Sequence, residues 1–452
     1  DVVHQNLGIT GVGVNVAVLD TGVDATHPDI GPALVAQHCF NRGNCPPNGG
    51  DEGESAQDEN GHGTHVSGIV VGRGSVSPAG IAPQAGLVAV RVLGSNGVGF
   101  SSDVVAGIDW IIANQSTLNV TAINLSLGGG AYEGTCDEAD ANTMLYAAAA
   151  EAARQADIAI FAASGNGAEA NKMTSPGCVS GIISVGSVYD TASSNFNWGS
   201  CVDELVTVDQ VACSSNSSSA LDLLAPGVLI TSTSLGGGQG TKSGTSMATP
   251  HAAAIAALLA EANSNLTAAE IITVLQNTGV PVTDSRTGRA VPRIDALAAV
   301  SSVITKQTTT FSGTILLQGR TDHSGTDIVL TETVCAEPGS SSLTTITNAN
   351  GRFEITVADE QDIACLRATH PGYLTAQQSL PNEDIGTFTL LGGDANNDAV
   401  IDILDLALIA TLYRTTDVTA DINGDGTVNI FDLVITASNY QERGPIIIGL
   451  AE

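Results

Sequence analysis

Between Gly11 and Ile304, short apolar runs alternate with longer stretches in which apolar residues recur at helical spacing. "VNVAVLD" (14–20), "GLVAVRVL" (86–93), "TAINLSL" (121–127), "IAIFAASGN" (158–166) and "GIISVGS" (181–187) predict buried strands. Their nearly unbroken hydrophobicity fits a sheet covered on both faces. "SSDVVAGIDWIIAN" (101–114) and "NTMLYAAAAEAARQ" (142–155) predict amphipathic helices between them. This alternation predicts an α/β domain with a mostly parallel sheet.

After the polar link "TKQTTT" (305–310) the texture changes to β-branched runs at 312–319, 326–334, 342–357 and 365–377, broken by turn pairs such as Asn350-Gly351 and Pro371-Gly372. A small β-sandwich is expected there. From Gly392 the chain repeats itself, "GDANNDAVIDILDLALIA" (393–410) returning as "ADINGDGTVNIFDLVITA" (420–437). The expected domains are thus 1–305, 306–391 and 392–452.

The repeat carries its own chemistry. Each copy places side-chain oxygens at loop positions 1, 3, 5, 9 and 12, the spacing that wraps a hard cation. They are Asp394, Asn396, Asp398, Asp402 and Asp405, then Asp421, Asn423, Asp425, Asn429 and Asp432, with the carbonyls of Val400 and Thr427 at position 7. So many protein oxygens predict Ca2+, at two sites. The duplicated loop, each copy followed by an apolar helical run, resembles a type I dockerin module, and the resemblance implies a cohesin-bearing scaffold as partner. Ala399 stands where the first loop usually has glycine, which predicts the weaker of the two sites. Ile403 and Leu404, then Ile430 and Phe431, occupy positions where dockerins often present small hydroxyl residues. The preceding β-rich segment is similar to carboxypeptidase regulatory-like sandwiches, which implies an accessory module.

Composition narrows the partners. With 15 basic against 47 acidic side chains, the net charge of -32 disfavours nucleic acid and anionic membrane surfaces. No apolar run reaches the roughly 20 residues needed to span a bilayer. No signal peptide opens the chain, which therefore either lacks one or is numbered from a mature end. Eight cysteines in loop-like sequence, without zinc-type spacing, predict disulfides and an oxidising, extracellular setting. Proximity pairs Cys39 with Cys45, Cys201 with Cys213 and Cys335 with Cys365, leaving Cys136 for Cys178.

Chemistry in the first domain centres on "NGHGTHVSG" (60–68), where His62 and His65 stand three apart among glycines. A shared metal is one reading, but no third ligand lies near. The other comes from two distant motifs. "VAVLDTGVDATHPDI" ends a buried strand at Asp20, and "GTSMATPHAAAIAALLAEA" places Ser246 between a turn and a helix. Functional residues of open α/β sheets sit at such strand ends. A carboxylate, an imidazole and a hydroxyl in these settings make the parts of a nucleophilic triad.

The motifs "VLDTGVDATHPDI", "NGHGTHVSGIV" and "GTSMATPH", in the order Asp, His, Ser, resemble the subtilisin-like serine proteases of the peptidase S8 family across the first domain. The resemblance implies a three-layer α/β fold and a secreted endopeptidase that works through an acyl-enzyme on protein or peptide substrates, with broad specificity. It makes Asp20 the orienting carboxylate, His62 the general base and acid, Ser246 the nucleophile and Asn166 of "AASGN" the oxyanion donor. Substrate is expected to lie as an added strand against Ser126, Leu127 and Gly128 on one side and Gly97, Val98 and Gly99 on the other. Ala163, Ser164 and Gly165 are expected in one wall of the first pocket, whose shortened "NKMTSPGC" region favours a neutral or apolar side chain. "VGRGSVSPAGIAP" lacks the asparagine-rich calcium loop of many subtilisins, and residues 194–213 look like a disulfide-pinned insertion. A calcium-dependent binding module without catalysis, or a cohesin-docked structural component, stands as the alternative. His4, His38, His323 and His370 have no partner motif, and His27 belongs to the "THPDI" turn.

Overall fold

A computed structural model describes residues 2–304, 308–331, 335, 342–358, 363–379 and 384–447. The start of the link at 305–310 and the end of the run 326–334 lie outside the described residues. The chain divides into two units, Asp1–Thr305 and Lys306–Glu452.

In the first unit ten strands form one sheet, in the order 280–284, 289–293, 223–226, 182–188, 159–163, 120–125, 15–20, 86–91, 34–45 and 50–53. Neighbours pair in parallel except at the two edges. Alternation within each strand divides the core. Val16, Val18, Leu87 and Ala89 join one apolar cluster with the helices His62–Val71, Thr245–Ala262, Ala268–Thr278 and Ala296–Val303. Ala17, Leu19, Val88 and Val90 join another with Ser101–Ala113 and Ala141–Gln155. Successive side chains point to opposite faces of a sheet, so helices cover both sides and the unit has three layers.

The strand Asn15–Asp20 lies between 86–91 and 120–125, and its last residue, Asp20, is fully buried. The segment 194–213 closes on a small cluster of Val206 and Ala212 with Tyr189 and Val228, and Phe196 and Trp198 pack against it. Its buried Asp203 accepts from the Tyr189 hydroxyl (2.7 Å), Trp198 Nε1 (3.2 Å), Gln210 Nε2 (3.0 Å) and the Cys213 N–H (3.0 Å). A buried carboxylate needs such donors. Disulfides join Cys39–Cys45, Cys136–Cys178, Cys201–Cys213 and Cys335–Cys365, the pairs expected from proximity.

The second unit contains a three-stranded sheet, ordered 352–358, 308–317 and 384–390, and a five-stranded one, ordered 342–346, 327–331, 365–369, 376–379 and 446–447. Helices Ile403–Thr411 and Ile430–Ser438 follow the two repeated loops. The segments 306–391 and 392–452, expected as separate domains, share one core. Ile315, Leu330 and Leu366 from the sheets cluster with Ile409, Ala420, Ile422 and Val428 from the repeat. Gly392–Asp394 pairs with Gly372–Tyr373, and Ile446–Ile447 pairs with Ala376–Gln377. Among the described residues no helix is long and apolar enough to cross a membrane.

Candidate active site

Glycine is what lets His62 reach Asp20. His62 opens its helix directly after Gly61, whose φ of 93° few side chains tolerate. A Cβ on Gly63 would lie 2.2 Å from the Gly22 carbonyl oxygen and 3.1 Å from the Asp20 Cβ, so only a bare backbone packs this close. The result is a hydrogen bond of 2.7 Å between His62 Nδ1 and Asp20 Oδ1, which also accepts the Thr21 N–H at 2.7 Å. Burial lowers the affinity of His62 for its proton, but the charge and hydrogen bond of Asp20, helped by Asp58, outweigh burial and the opposing Lys242. The imidazole is therefore held above its usual value of 6.5.

His65 does not join it. Its Nε2 lies 3.1 Å from the carbonyls of both Ile230 and Gly240, and burial first of all pushes its pKa down to about 4. One imidazole is committed to Asp20 and the other to the hairpin 230–242, which removes the shared-metal reading.

Ser246 occupies the first turn of the helix Thr245–Ala262, where no preceding carbonyl can take its N–H. Its Oγ donates to the Ser126 carbonyl at 3.2 Å, while Ser126 Oγ donates to the Ser246 carbonyl at 2.8 Å. Among the described residues no hydrogen bond joins Ser246 to His62; the hydroxyl turns to Ser126 instead. Catalytic hydrogen bonds of this type often tighten only once substrate is bound. Asn166 Oδ1 accepts the Thr245 N–H (2.9 Å) and hydroxyl (3.2 Å). Accepting at that end leaves Nδ2 as the unspent donor.

His62, Asn166 and Ser246 line one cleft of about 670 Å3 together with Gly97, Val98, Gly99, Ser126, Leu127, Gly128, Ala163 and Gly165. Ser164 does not. It lies just past the end of the strand 159–163, is fully buried and donates to the Asn216 carbonyl at 2.9 Å. Thr174 and Ser175, from the "NKMTSPGC" region expected at the first pocket, also line the cleft. Tyr132, Tyr146 and Phe100 line it too and were not singled out in the sequence. Thr245 was missed too, although it adjoins Ser246 and its hydroxyl accepts the Gly165 N–H at 3.2 Å. Among the described residues no Asp, Glu, Lys or Arg side chain lines the cleft.

Beside the stretch 73–83, Asp29 is satisfied by protein donors. The N–H groups of Ser75, Val76 and Ser77 and the Ser77 hydroxyl converge on it within 3.0 Å. Burial alone would raise its pKa, but these donors hold it well below the carboxylate range.

The two C-terminal loops repeat one hydrogen-bond pattern. Asp405 accepts from the N–H groups of Asn396 and Asp402, and Asp432 from those of Asn423 and Asn429. Asn396 Nδ2 donates to Asp398 and Asn423 Nδ2 to Asp425. The N–H groups of Val400 and Thr427 donate to those same carboxylates. Asp402 and Asn429 cap the helices that follow, Asp405 and Asp432 completing each capping box. Asp394, Asp405, Asp421 and Asp432 are all buried, and Asp421 Oδ1 has no hydrogen-bond partner. Burial, with Asp405 and Asp398 beside it, pushes the Asp394 carboxyl up. Among the described residues no three His, Cys, Asp or Glu side chains gather into a ready-made cage. The donors here are mixed carboxylate, carboxamide and carbonyl oxygens.

The model of the subtilase family matches residues 11–307. Alkaline serine exoprotease A of Vibrio alginolyticus is 37% identical over 288 residues, 63% of this chain and 45% of that protein. Subtilisin E of Bacillus subtilis strain 168 is 34% identical over 276 residues, 60% of this chain and 61% of that protein. The chain thus spans about half to three fifths of the length of these relatives. Among solved structures, a protease of Pseudoalteromonas arctica is similar with a TM-score of 0.53 at 30% identity, covering 65% of this chain and 91% of that one. A cold-adapted subtilisin-like serine proteinase gives a TM-score of 0.50 at 32% identity, covering 64% and 90%.

Proposed function

Because the chain belongs to the subtilase family, we propose that it is a serine endopeptidase that cleaves protein or peptide chains through an acyl-enzyme. The observation that carries this is the 2.7 Å bond between His62 and a fully buried Asp20, in one cleft with Ser246 and the unspent Nδ2 of Asn166.

With Nδ1 committed to Asp20, Nε2 is the ring nitrogen left to act. It takes the Ser246 proton as Oγ attacks the scissile carbonyl, and Asp20 stabilises the imidazolium that forms. Asn166 Nδ2 and the Ser246 N–H donate to the oxyanion. The proton then passes to the leaving amine, and water, deprotonated in turn by His62, releases the acyl group. Substrate lies extended between Gly97–Gly99 and Ser126–Gly128, held by backbone pairing that reads little of its sequence. A cleft wall without charge favours neutral or apolar side chains beside the scissile bond.

The second unit is read as a β-sandwich joined to a dockerin-like module that binds two Ca2+ ions. Buried carboxylates that pair with no cationic side chain among the described residues, and the orphaned Asp421 Oδ1, suit a cation. Asp394, Asn396, Asp398, Val400, Asp402 and Asp405 would hold one, and Asp421, Asn423, Asp425, Thr427, Asn429 and Asp432 the other. When bound, Ca2+ neutralises charge that otherwise opposes folding of the loops. Two roles follow for this unit: docking to a cohesin-bearing scaffold, or stabilising the protease. The four disulfides suit secretion.

The test is exposure of the folded, calcium-loaded protein, free of any pro-segment, to a fluorophosphonate, with Ser246→Ala and heat-denatured protein as controls. Labelling confined to Ser246 is expected. No labelling favours a calcium-dependent binding module instead.

A further inference from the structure

Asp58 is only 3% exposed and lies in the loop leading into the His62 helix. Among the described residues its hydrogen bonds come from backbone N–H groups and threonine hydroxyls, and no Lys or Arg pairs with it. Oδ1 accepts the N–H groups of Asn60 and Gly61 and the Thr21 hydroxyl, each at 2.9 Å. Oδ2 accepts the Thr64 N–H at 3.0 Å and the Thr64 hydroxyl at 2.6 Å. Five donors on one buried carboxylate keep it ionised, the hydrogen bonds of Gly61, Thr64 and Asn60 outweighing burial.

These donors come from two places. Asn60, Gly61 and Thr64 flank His62, whereas Thr21 follows Asp20 in sequence. Thr21 Oγ1 also accepts the Gly63 N–H at 2.9 Å, so Gly63, Thr21 and Asp58 form a continuous bridge. That bridge ties the strand end that carries Asp20 to the helix start that carries His62.

Resting on the endopeptidase reading, we propose that Asp58 is a positioning residue for His62. It holds the imidazole against Asp20 through the Thr21 bridge, and its negative charge favours the imidazolium formed when Ser246 gives up its proton. The other charged or titratable groups that act on His62 are Asp20 at the strand end, Lys242 on the strand 238–242 and His65 one turn along the same helix. Asp20 and Asp58 favour the cation, and Lys242 opposes it. His65 is neutral at working pH.

Two substitutions separate wiring from charge, read as kcat, KM and pH profile per fluorophosphonate-titrated serine. Asp58→Asn removes the charge; its acid limb is expected to move down by roughly half a pH unit, with kcat falling about 10-fold and KM nearly unchanged. Thr21→Val keeps the charge and cuts the bridge; kcat is expected to fall by a similar factor with the limb in place. A role confined to stability would lower the melting temperature while leaving kcat per titrated serine and the limb unmoved in both variants, and that overturns the proposal. If Asp58→Asn does not fold, Thr21→Val decides alone, and an unchanged kcat rejects it. Wild-type protein that fails to label at Ser246 defeats the endopeptidase reading itself, so the two failures are distinguishable.

Discussion

Replacing Gly63 by alanine tests whether the close approach of His62 and Asp20 depends on a missing side chain. Gly63 lies in the first turn of its helix, where alanine would ordinarily add up to about 1 kcal/mol of stability. The structure reverses that sign. The new Cβ would meet the Gly22 carbonyl oxygen at 2.2 Å and the Gly22 nitrogen at 3.0 Å, both of them backbone atoms. Carbon and oxygen need roughly 3.3 Å, so strand end and helix start must separate by about 1 Å. Overpacking of this kind costs about 1–3 kcal/mol. The separation falls on the 2.7 Å bond between His62 and Asp20, and a misplacement of about 1 Å costs on the order of 100-fold in rate. The assay is kcat/KM on a chromogenic peptide per titrated serine, with thermal unfolding measured in a Ser246→Ala background to prevent autolysis. A Gly63→Ala protein at least as stable as its parent, with kcat/KM within about 3-fold, would refute the reasoning.

Other outcomes follow from the same geometry. Because His62 must be neutral to accept a proton and is held above 6.5, kcat/KM should rise with pH through a midpoint above 6.5; a midpoint below 6 contradicts the Asp20 pairing. The same pairing adds stability that is fully present below pH 6.5 and is lost as pH climbs through the raised value, which unfolding at pH 6 and pH 9 will report. Asn166→Ala should lower kcat with little change in KM by roughly 100- to 1000-fold, a magnitude taken from subtilisins and not worked from this chain. Ala399 holds φ at 67°, where the second loop has Gly426 at 89°. Ala399→Gly should relieve about 1–2 kcal/mol of strain, less about 0.4–1 for a looser unfolded chain, raising the denaturation midpoint and the affinity of the first loop for Ca2+. Chelation should speed hydrogen exchange across 421–432, and exchange indifferent to chelator would count against a bound cation there.

The sheet and its flanking helices were legible because their residues obey simple periods. The run 14–20 stands as Asn15–Asp20, and 101–114 as the helix Ser101–Ala113. Strands 34–45 and 289–293 escaped, since "NRGNC" and "RAVPR" mix polar residues and a proline into edge-proximal positions, where pairing rather than periodicity decides. At the site, Asp20, His62, Ser246 and Asn166 announce themselves through sharp local motifs. Tyr132 does not, because only the antiparallel pairing of 129–133 with 172–175 sets it in the cleft wall. Ser164, expected in the pocket wall, is drawn inward by a partner that no local pattern shows, the Asn216 carbonyl 52 residues away.

The shared apolar cluster of the second unit bears on how this chain can be rearranged. Domain shuffling works on cassettes whose cores are closed, yet here Ile315, Leu330 and Leu366 are roofed by Ile409, Ile422 and Val428. The closing pair Ile446–Ile447 re-enters the sheet of its partner segment beside Ala376–Gln377. A cut near residue 391 would strip one hydrophobic surface from each product and leave both prone to stick. The graftable piece is the whole of 306–452, and an engineer moving the repeated loops to another enzyme would have to carry the sheets with them.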